Sequence, residues 1–290
     1  MTHNKHLFIF GFGYSAAAFA KELMADGWKI SATSRDPERR KEMVRLGIKT
    51  FDFDDNALIP ALHEAQYLLD SVPPAKQGHP TLTRYGEEIA RSDWQWIGHL
   101  STTGVYGNYD GDWVDENAEL KANTGRLIRR IDTELAWLKL FKTHSHPVHI
   151  FRLAGIYGPG RGPFKKLKQG TAQRIDKPGQ FFSRIHVRDI AETLLTSLKN
   201  PSAGAIYNVC DDEPAPAHEV IAEAARLLGM EPPPLIPFEE AELSDMAKEF
   251  YSDDRKVSNR KIREELGVKL HYPTYREGVA SLLPEPAAVA

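Results

Sequence analysis

Gly11-Phe12-Gly13-Tyr14-Ser15-Ala16 puts two glycines and a small residue at the spacing G-x-G-x-x-G/A. An apolar run at 7–10 precedes it, and a helical pattern follows. In that order the first glycine permits a tight turn. The second lets backbone N–H groups approach a pyrophosphate, and Ala16 lets helix and strand pack closely. The helix N-terminus faces the phosphates with partial positive charge, and Tyr14 and Ser15 of the turn are expected beside the cofactor. This is chemistry for a dinucleotide. The discriminating position follows the second strand, at Thr33-Ser34-Arg35-Asp36. A carboxylate there binds the ribose of NAD, and an arginine accommodates the 2′-phosphate of NADP. Ser34 and Arg35 favour NADP. Asp36 keeps NAD open, because it could serve a 2′-hydroxyl or begin the next helix as an N-terminal acid. Asp52 and Phe53 are expected to flank the adenine.

A second group lies on a basic helix, Arg126-Leu127-Ile128-Arg129-Arg130-Ile131-Asp132-Thr133-Glu134. Positions 126 and 130 share a face. Arginine stays protonated at neutral pH and has no lone pair with which to take up a proton, but it clamps carboxylates and phosphates. The alternative is pairing along the helix with Asp132 and Glu134. Thr102 and Thr103 can polarise a substrate carbonyl or can cap backbone. His63, His79, His144, His146 and His149 show no metal-ligand spacing with acidic or sulfur partners, so no metal is expected. Cys210, in an apolar strand, reads as a buried thiol.

Elements that position these residues alternate. Strands are predicted at 7–10, 28–33, 48–53, 67–72, 96–101, 148–153 and 205–210. Helices are predicted at 17–26, 38–46, 83–91, 127–142, 218–228 and 259–266. Repeated β–α units imply an α/β fold, a Rossmann-type doubly wound parallel sheet with its loops gathered at one edge. The pattern loosens after about residue 155. The reading is a dinucleotide domain over 1–155, with returns near 181–212, a smaller interleaved C-terminal substrate lobe over 156–285, and a tail at 286–290. The chain has 290 residues, 41% of them hydrophobic and 27% charged, and a net charge of -3. That composition is globular and carries no electrostatic footprint for nucleic acid. No segment has the apolar length to span a bilayer. A signal peptide over 1–23 is opposed by the glycines within its core and by the single cysteine. A cytoplasmic protein is expected.

Several stretches resemble the extended short-chain dehydrogenases/reductases, the NAD-dependent epimerase/dehydratase family. Ser101-Thr102-Thr103-Gly104-Val105-Tyr106-Gly107 with Asp115-Glu116 resembles "SS-x-x-VYG … DE". Residues 152–160 resemble "R-x-x-x-x-YGPG", and Ile185-His186-Val187-Arg188-Asp189 resembles "I-H-V-x-D". Ile206-Tyr207-Asn208-Val209 resembles "YN-V", and 272–278 resemble "YP-x-x-x-x-G". The resemblance implies that Ser71, Val72 and Pro73 pass the cofactor, with Leu153 also beside it. It implies that Thr102 supplies the catalytic hydroxyl. It implies substrate contacts from Tyr157 and Arg161, and from His186 as well, although a structural histidine at the domain junction is the more expected reading of that residue. It implies a homodimer through the helices after β4 and β5, with Leu127, Ile131, Leu135 and Leu138 near helical spacing; the alternative is that these four face the domain's own core.

The departure from this family matters more. Its enzymes use Tyr-x-x-x-Lys on the helix after β5. Here Arg126 and Arg130 stand near those positions, and no tyrosine is followed by lysine four residues on. Another group must then carry the proton: Tyr106 first, then Tyr157, Asp132 or Glu134. For Tyr106, packing is the competing role. Three functions follow. The first is an NAD(P)-binding, epimerase/dehydratase-like oxidoreductase for a small polar, anionic substrate. The second is an NADP(H)-binding sensor without hydride chemistry. The third is an acid–base or hydrolytic enzyme reusing the cleft.

Overall fold

The structure, a computed structural model, describes residues 5–283; the expected tail at 286–290 lies outside them. In chain order the first elements are β1 (His6–Phe10), α1 (Tyr14–Ala25), β2 (Lys29–Thr33), α2 (Pro37–Arg45), β3 (Lys49–Phe51), α3 (Ile59–Glu64), β4 (Tyr67–Asp70), α4 (Pro80–Arg91), β5 (Trp96–Thr102), β6 (Trp113–Val114), α5 (Gly125–His144) and β7 (Val148–Leu153). There follow β8 (Gly155–Tyr157), α6 (Phe164–Lys168), β9 (Arg174–Asp176), β10 (Arg184–His186), α7 (Val187–Lys199), β11 (Ile206–Val209), α8 (Ala217–Leu227), β12 (Leu235–Pro237), α9 (Asp245–Ser252), β13 (Lys256–Val257), α10 (Arg260–Glu264) and α11 (Tyr275–Ala280).

Seven strands form one parallel sheet in the order β11-β7-β5-β4-β1-β2-β3. Every residue of β1 is buried, as a strand covered on both faces requires. Leu7 and Ile9 face α1 and α7, packing with Phe19, Leu23, Ile190 and Leu194. Phe8 and Phe10 face the other way, onto Leu62, Tyr85, Ile89 and Trp137 of α3, α4 and α5. β1 pairs with β2 on one side and β4 on the other. The strand order reverses there, which opens a crevice beyond the carboxyl ends of the strands.

The predicted helix and strand segments appear within a few residues of their expected ends. Helix α7 was not predicted, although Val187, Ile190, Ala191 and Leu194 give it a buried face. Its capping residue, His186, lies inside the "I-H-V-x-D" stretch. Short two-stranded pairings, β8 with β10, β9 with β12 and β6 with β13, build the second lobe. Its core joins Tyr157, Leu167, Ala224, Ala225, Tyr275 and Val279. Gly278 of α11 lies against the Tyr157 phenol so closely that a Cβ there would collide with the ring. Among the described residues no helix is long and apolar enough to cross a membrane.

Candidate functional site

The glycine turn ends β1 and starts α1. Gly11 has φ +80, and a Cβ there would lie 3.1 Å from Val72 Cγ2 and 3.3 Å from the Ser71 carbonyl carbon. Glycine is therefore required both by the backbone conformation and by the approach of the β4 turn. The Gly11 and Phe12 N–H groups donate to Thr33 at the end of β2, each at 3.0 Å. Gly13 is the N-cap residue of α1, and a Cβ at Gly13 would meet nothing within 4 Å. No side chain caps α1, whereas Asp36, His79 and Thr124 cap α2, α4 and α5. An uncapped helix N-terminus facing open space is a fit for a pyrophosphate. Ser15 is buried in the first turn. Tyr14 donates to the Pro159 carbonyl at 2.9 Å, tying the turn to the second lobe.

Ser34, Arg35, Phe53, Ser71, Val72 and Pro73 complete this cleft. The Arg35 guanidinium stands 4.8 Å over the Phe53 ring, and its ion-pair contact is the exposed Asp54 at 3.8 Å. Asp36 is spent on the helix, accepting the Glu38 and Arg39 N–H groups at 2.9 and 3.4 Å. Asp52, unlike Phe53, is not among the residues that line this cleft. It accepts the Asp54 N–H at 3.0 Å and pairs with Arg40 at 2.7 Å. The Asp54 N–H and the Arg40 guanidinium hold its carboxyl below the usual range.

A second cleft of about 400 Å³ opens at the carboxyl ends of β5 and β7. Ser101, Thr102, Thr103 and Leu153 form its floor, and α5 contributes Arg126 and Arg130. Leu153 thus lines this cleft rather than the glycine-turn cleft. The second lobe adds Arg161, Asp253, Arg255 and a wall of Phe181, Phe182 and Phe250. Four guanidinium groups therefore border one cavity. Arg130 Nη1 donates to the Leu100 carbonyl at 3.4 Å. Burial lowers its pKa, against the pull of Asp70. Arg255 donates to the Gly107 carbonyl at 2.6 Å and lies 3.3 Å from Asp253. Thr102 Oγ1 accepts the Gly104 N–H at 3.1 Å. The lobe residues 181–183 and 250–255 escaped sequence reasoning because no local motif marks them and folding alone brings them to α5.

Below the floor runs a buried polar chain. Ser101 Oγ donates to Glu134 Oε1 at 2.5 Å. Arg152 grips Glu134 through Nη2 at 2.8 Å and Nε at 3.1 Å, and donates from Nη1 to Tyr106 at 2.9 Å. Tyr106 donates to Asn208 Oδ1 at 2.7 Å. This corrects the candidacy of Tyr106 as the cleft acid or base. Its side chain is wholly buried outside the cleft, both sides of its hydroxyl are taken, and burial pushes its pKa up to about 12. Ser101 was not singled out, although it adjoins Thr102 in sequence.

Tyr157 and His186 are likewise not brought to the cleft. The Tyr157 hydroxyl is buried against α11, and burial pushes its pKa far up. His186 caps α7, accepting the Arg188 N–H at Nδ1 (3.2 Å), and its ring lies between Tyr157 and Tyr272. Burial lowers its pKa to about 4, so it is neutral at pH 7. Arg161 does line the cleft, with its guanidinium 5.8 Å over the Tyr14 ring. On α5, Leu127, Ile131 and Leu138 turn toward the cores, and only Leu135 of the four helix residues is exposed, beside Ile128.

His79, without ligand spacing in the sequence, meets Asp70 and His99 in space. The Asp70 carboxylate accepts from His99 Nδ1 at 2.7 Å, from His79 Nε2 at 3.1 Å and from Thr81 Oγ1 at 2.7 Å. His79 Nδ1 accepts the Leu82 N–H at 3.4 Å, which places the ring proton on Nε2. That nitrogen donates to Asp70 and to the Val72 carbonyl (3.1 Å). The cluster is a hydrogen-bonded buttress. It braces the end of β4 immediately before the Ser71–Pro73 turn.

No family model matches the chain. It resembles a dTDP-glucose 4,6-dehydratase from Bacillus anthracis str. Ames in complex with NAD, at 16% identity, TM-score 0.77, covering 96% of this chain and 94% of that one. The human epimerase family protein SDR39U1 with NADPH is similar at 16% identity and TM-score 0.76, covering 96% of this chain and 98% of that one. The chain therefore shares the fold of these dehydratase and epimerase-family structures. Within that fold, the chain belongs to the family of a conserved protein of unknown function from Silicibacter pomeroyi DSS. That solved structure is 45% identical, with TM-score 0.89, and the match covers 96% of this chain and 98% of that one. Protein YeeZ of Escherichia coli (strain K12) is 28% identical over 93% of this chain and 97% of its own. A 3-diazoavenalumate denitrifying reductase from Streptomyces sp is 29% identical over 45% of each chain.

Proposed function

We propose that the chain is an NADP(H)-dependent oxidoreductase acting on a small anionic substrate. The observation that carries this reading is the pairing of two clefts: a glycine turn with an uncapped helix N-terminus, and a cavity bordered by Arg126, Arg130, Arg161 and Arg255. The reductase among the relatives is consistent with it. Gly11, Gly13 and the first turn of α1 would hold the pyrophosphate. Ser34 and Arg35 would hold a 2′-phosphate, and the Ser71–Pro73 turn would lead toward Thr102. A bound nicotinamide dinucleotide supplies hydride transfer.

The chain must supply the proton path without a tyrosine in the cleft. Ser101 can do so. A substrate hydroxyl would give its proton to Ser101 Oγ as the Ser101 proton passes to Glu134 Oε1 along their 2.5 Å bond. In the reducing direction both protons move back. The buried Arg152 balances the carboxylate when it is ionised. Thr102 would polarise the substrate oxygen, and Arg126 and Arg130 would fix the anion and stabilise charge on it. The exposed Ile128 and Leu135, one face of α5, would be part of a homodimer contact, and the protein would act in the cytoplasm.

Arg35→Ala tests the cofactor. It is expected to weaken NADPH binding about tenfold or more, as loss of a charge-assisted phosphate contact does, while NADH affinity changes less than twofold. Fluorescence titration with both dinucleotides reads this, and equal losses for both would refute a 2′-phosphate contact. Turnover is tested by following 340 nm absorbance with NADPH against carboxylated aldehydes and ketones. Cofactor binding without oxidation of NADPH by any of them would favour a sensor over an enzyme.

A further inference from the structure

We infer that the arginine-bordered cleft takes a planar, conjugated carboxylate, such as an aryl or arylacrylic acid, rather than a polyol. The inference rests on the reading of this cleft as the substrate site. Two independent features of its wall support it.

The first is the hydrogen-bonding inventory. Sugar hydroxyls donate as often as they accept, so a sugar site needs free acceptors that face the ligand. The hydroxyls that line this cleft are partly engaged: Ser101 donates to Glu134, Thr102 accepts the Gly104 N–H and Ser183 accepts the Val257 N–H. Among the described residues lining this cleft there is no asparagine or glutamine. Asp253 is the lone carboxylate, and it lies 3.3 Å from Arg255. The cations outnumber it four to one. A guanidinium matches a carboxylate as a planar two-point donor. The polar side of the cleft is therefore built for an anion.

The second feature is aromatic. Phe182 and Phe250 stack in parallel, with centroids 4.5 Å apart and planes 3° apart. Tyr251 packs edge-on against Phe182 at 5.2 Å, which fixes the stack from one side. Phe250 lines the cleft yet keeps 56% of its surface exposed. A large apolar ring left this open at the mouth of a charged cavity offers a flat face on which another flat ring can lie. A ligand with an aromatic body and a carboxylate end would satisfy both walls at once. A nucleotide sugar would leave its hydroxyls against phenylalanine.

The test is isothermal titration of the full chain with three probes: trans-cinnamate, 3-cyclohexylpropionate and UDP-glucose. Each is run with NADPH titrated separately into the same preparation. Cinnamate is expected to bind about fivefold more tightly than the cyclohexyl acid, which carries the same charge on a ring that cannot stack. Phe250→Ala, a change at an exposed ring, is expected to cost cinnamate about tenfold and to leave NADPH affinity unchanged. Arg126→Gln is expected to weaken both acids. Equal affinity for the two acids, indifference to Phe250→Ala, absence of cinnamate binding, or tighter binding of UDP-glucose would each overturn the inference. If NADPH binds and cinnamate does not, the inference alone fails. If NADPH itself does not bind, the reading of the whole site fails with it.

Discussion

Arg152→Ala is expected to lower the stability of the chain by about 3–5 kcal/mol, the cost of leaving a buried charge without its partner. Glu134 is 2% exposed and Arg152 3%. Their bidentate bond joins α5 to β7 in the middle of the molecule. Removing the guanidinium strands the Glu134 carboxylate and takes a donor from the Tyr106 hydroxyl. The double variant Arg152→Met with Glu134→Met should recover much of the loss, because an apolar pair needs no counter-charge. Urea denaturation of the three proteins measures this. A loss below about 1 kcal/mol for Arg152→Ala, as at a solvated pair, would contradict the buried network.

Ser101→Ala is expected to leave the fold intact at a stability cost of about 1 kcal/mol for the lost bond to Glu134, to leave NADPH affinity nearly unchanged, and to lower kcat by about 10²–10⁴, the usual range for loss of a general acid–base step. The side chain is small and sits at the cleft floor, so its removal opens little space. Tyr106→Phe provides the contrast. It removes a buried hydroxyl that bonds Asn208 and Arg152, so its expected effect is on stability, with kcat within a few-fold of the parent. Single-turnover rates at 340 nm separate the two. If Ser101→Ala turns over normally while Thr102→Ala is inactive, the proton passes through Thr102 instead.

The fold was largely legible because parallel strands covered on both faces leave continuous apolar runs, as at 7–10 and 148–153. The glycine turn was legible because its chemistry is local, six residues whose backbone meets the ligand. Arg126, Arg130 and Thr102 were legible as cleft residues for a similar reason: they end one strand or share one helix face. Arg255, Asp253 and Phe250 were not, since only the tertiary path of the second lobe carries them to α5. The tyrosines show the converse. Tyr106 and Tyr157 are the residue type that the chemistry wanted, near the expected places. Their hydroxyls nevertheless point into Asn208 and α11, because a phenol buried beside a strand end is as useful for packing as for proton transfer. Asp36 shows how a cap resolves an ambiguity. Its position fits a ribose or a helix start, and its two backbone bonds settle it on the helix. His79 shows that ligand spacing along a chain says little about partners supplied by neighbouring strands.

Calorimetric titration of NADPH into the wild-type chain and Gly13→Val tests the dinucleotide role of the glycine turn most directly. Gly13 faces open space, so valine there should fold normally and fill the room meant for the pyrophosphate. The expected result is saturable binding of one NADPH per chain to the wild type, and binding at least a hundredfold weaker, about 2.7 kcal/mol, to Gly13→Val at an unchanged melting temperature. Equal NADPH affinity in the two proteins, or no binding of NADPH or NADH to the wild type, would contradict it.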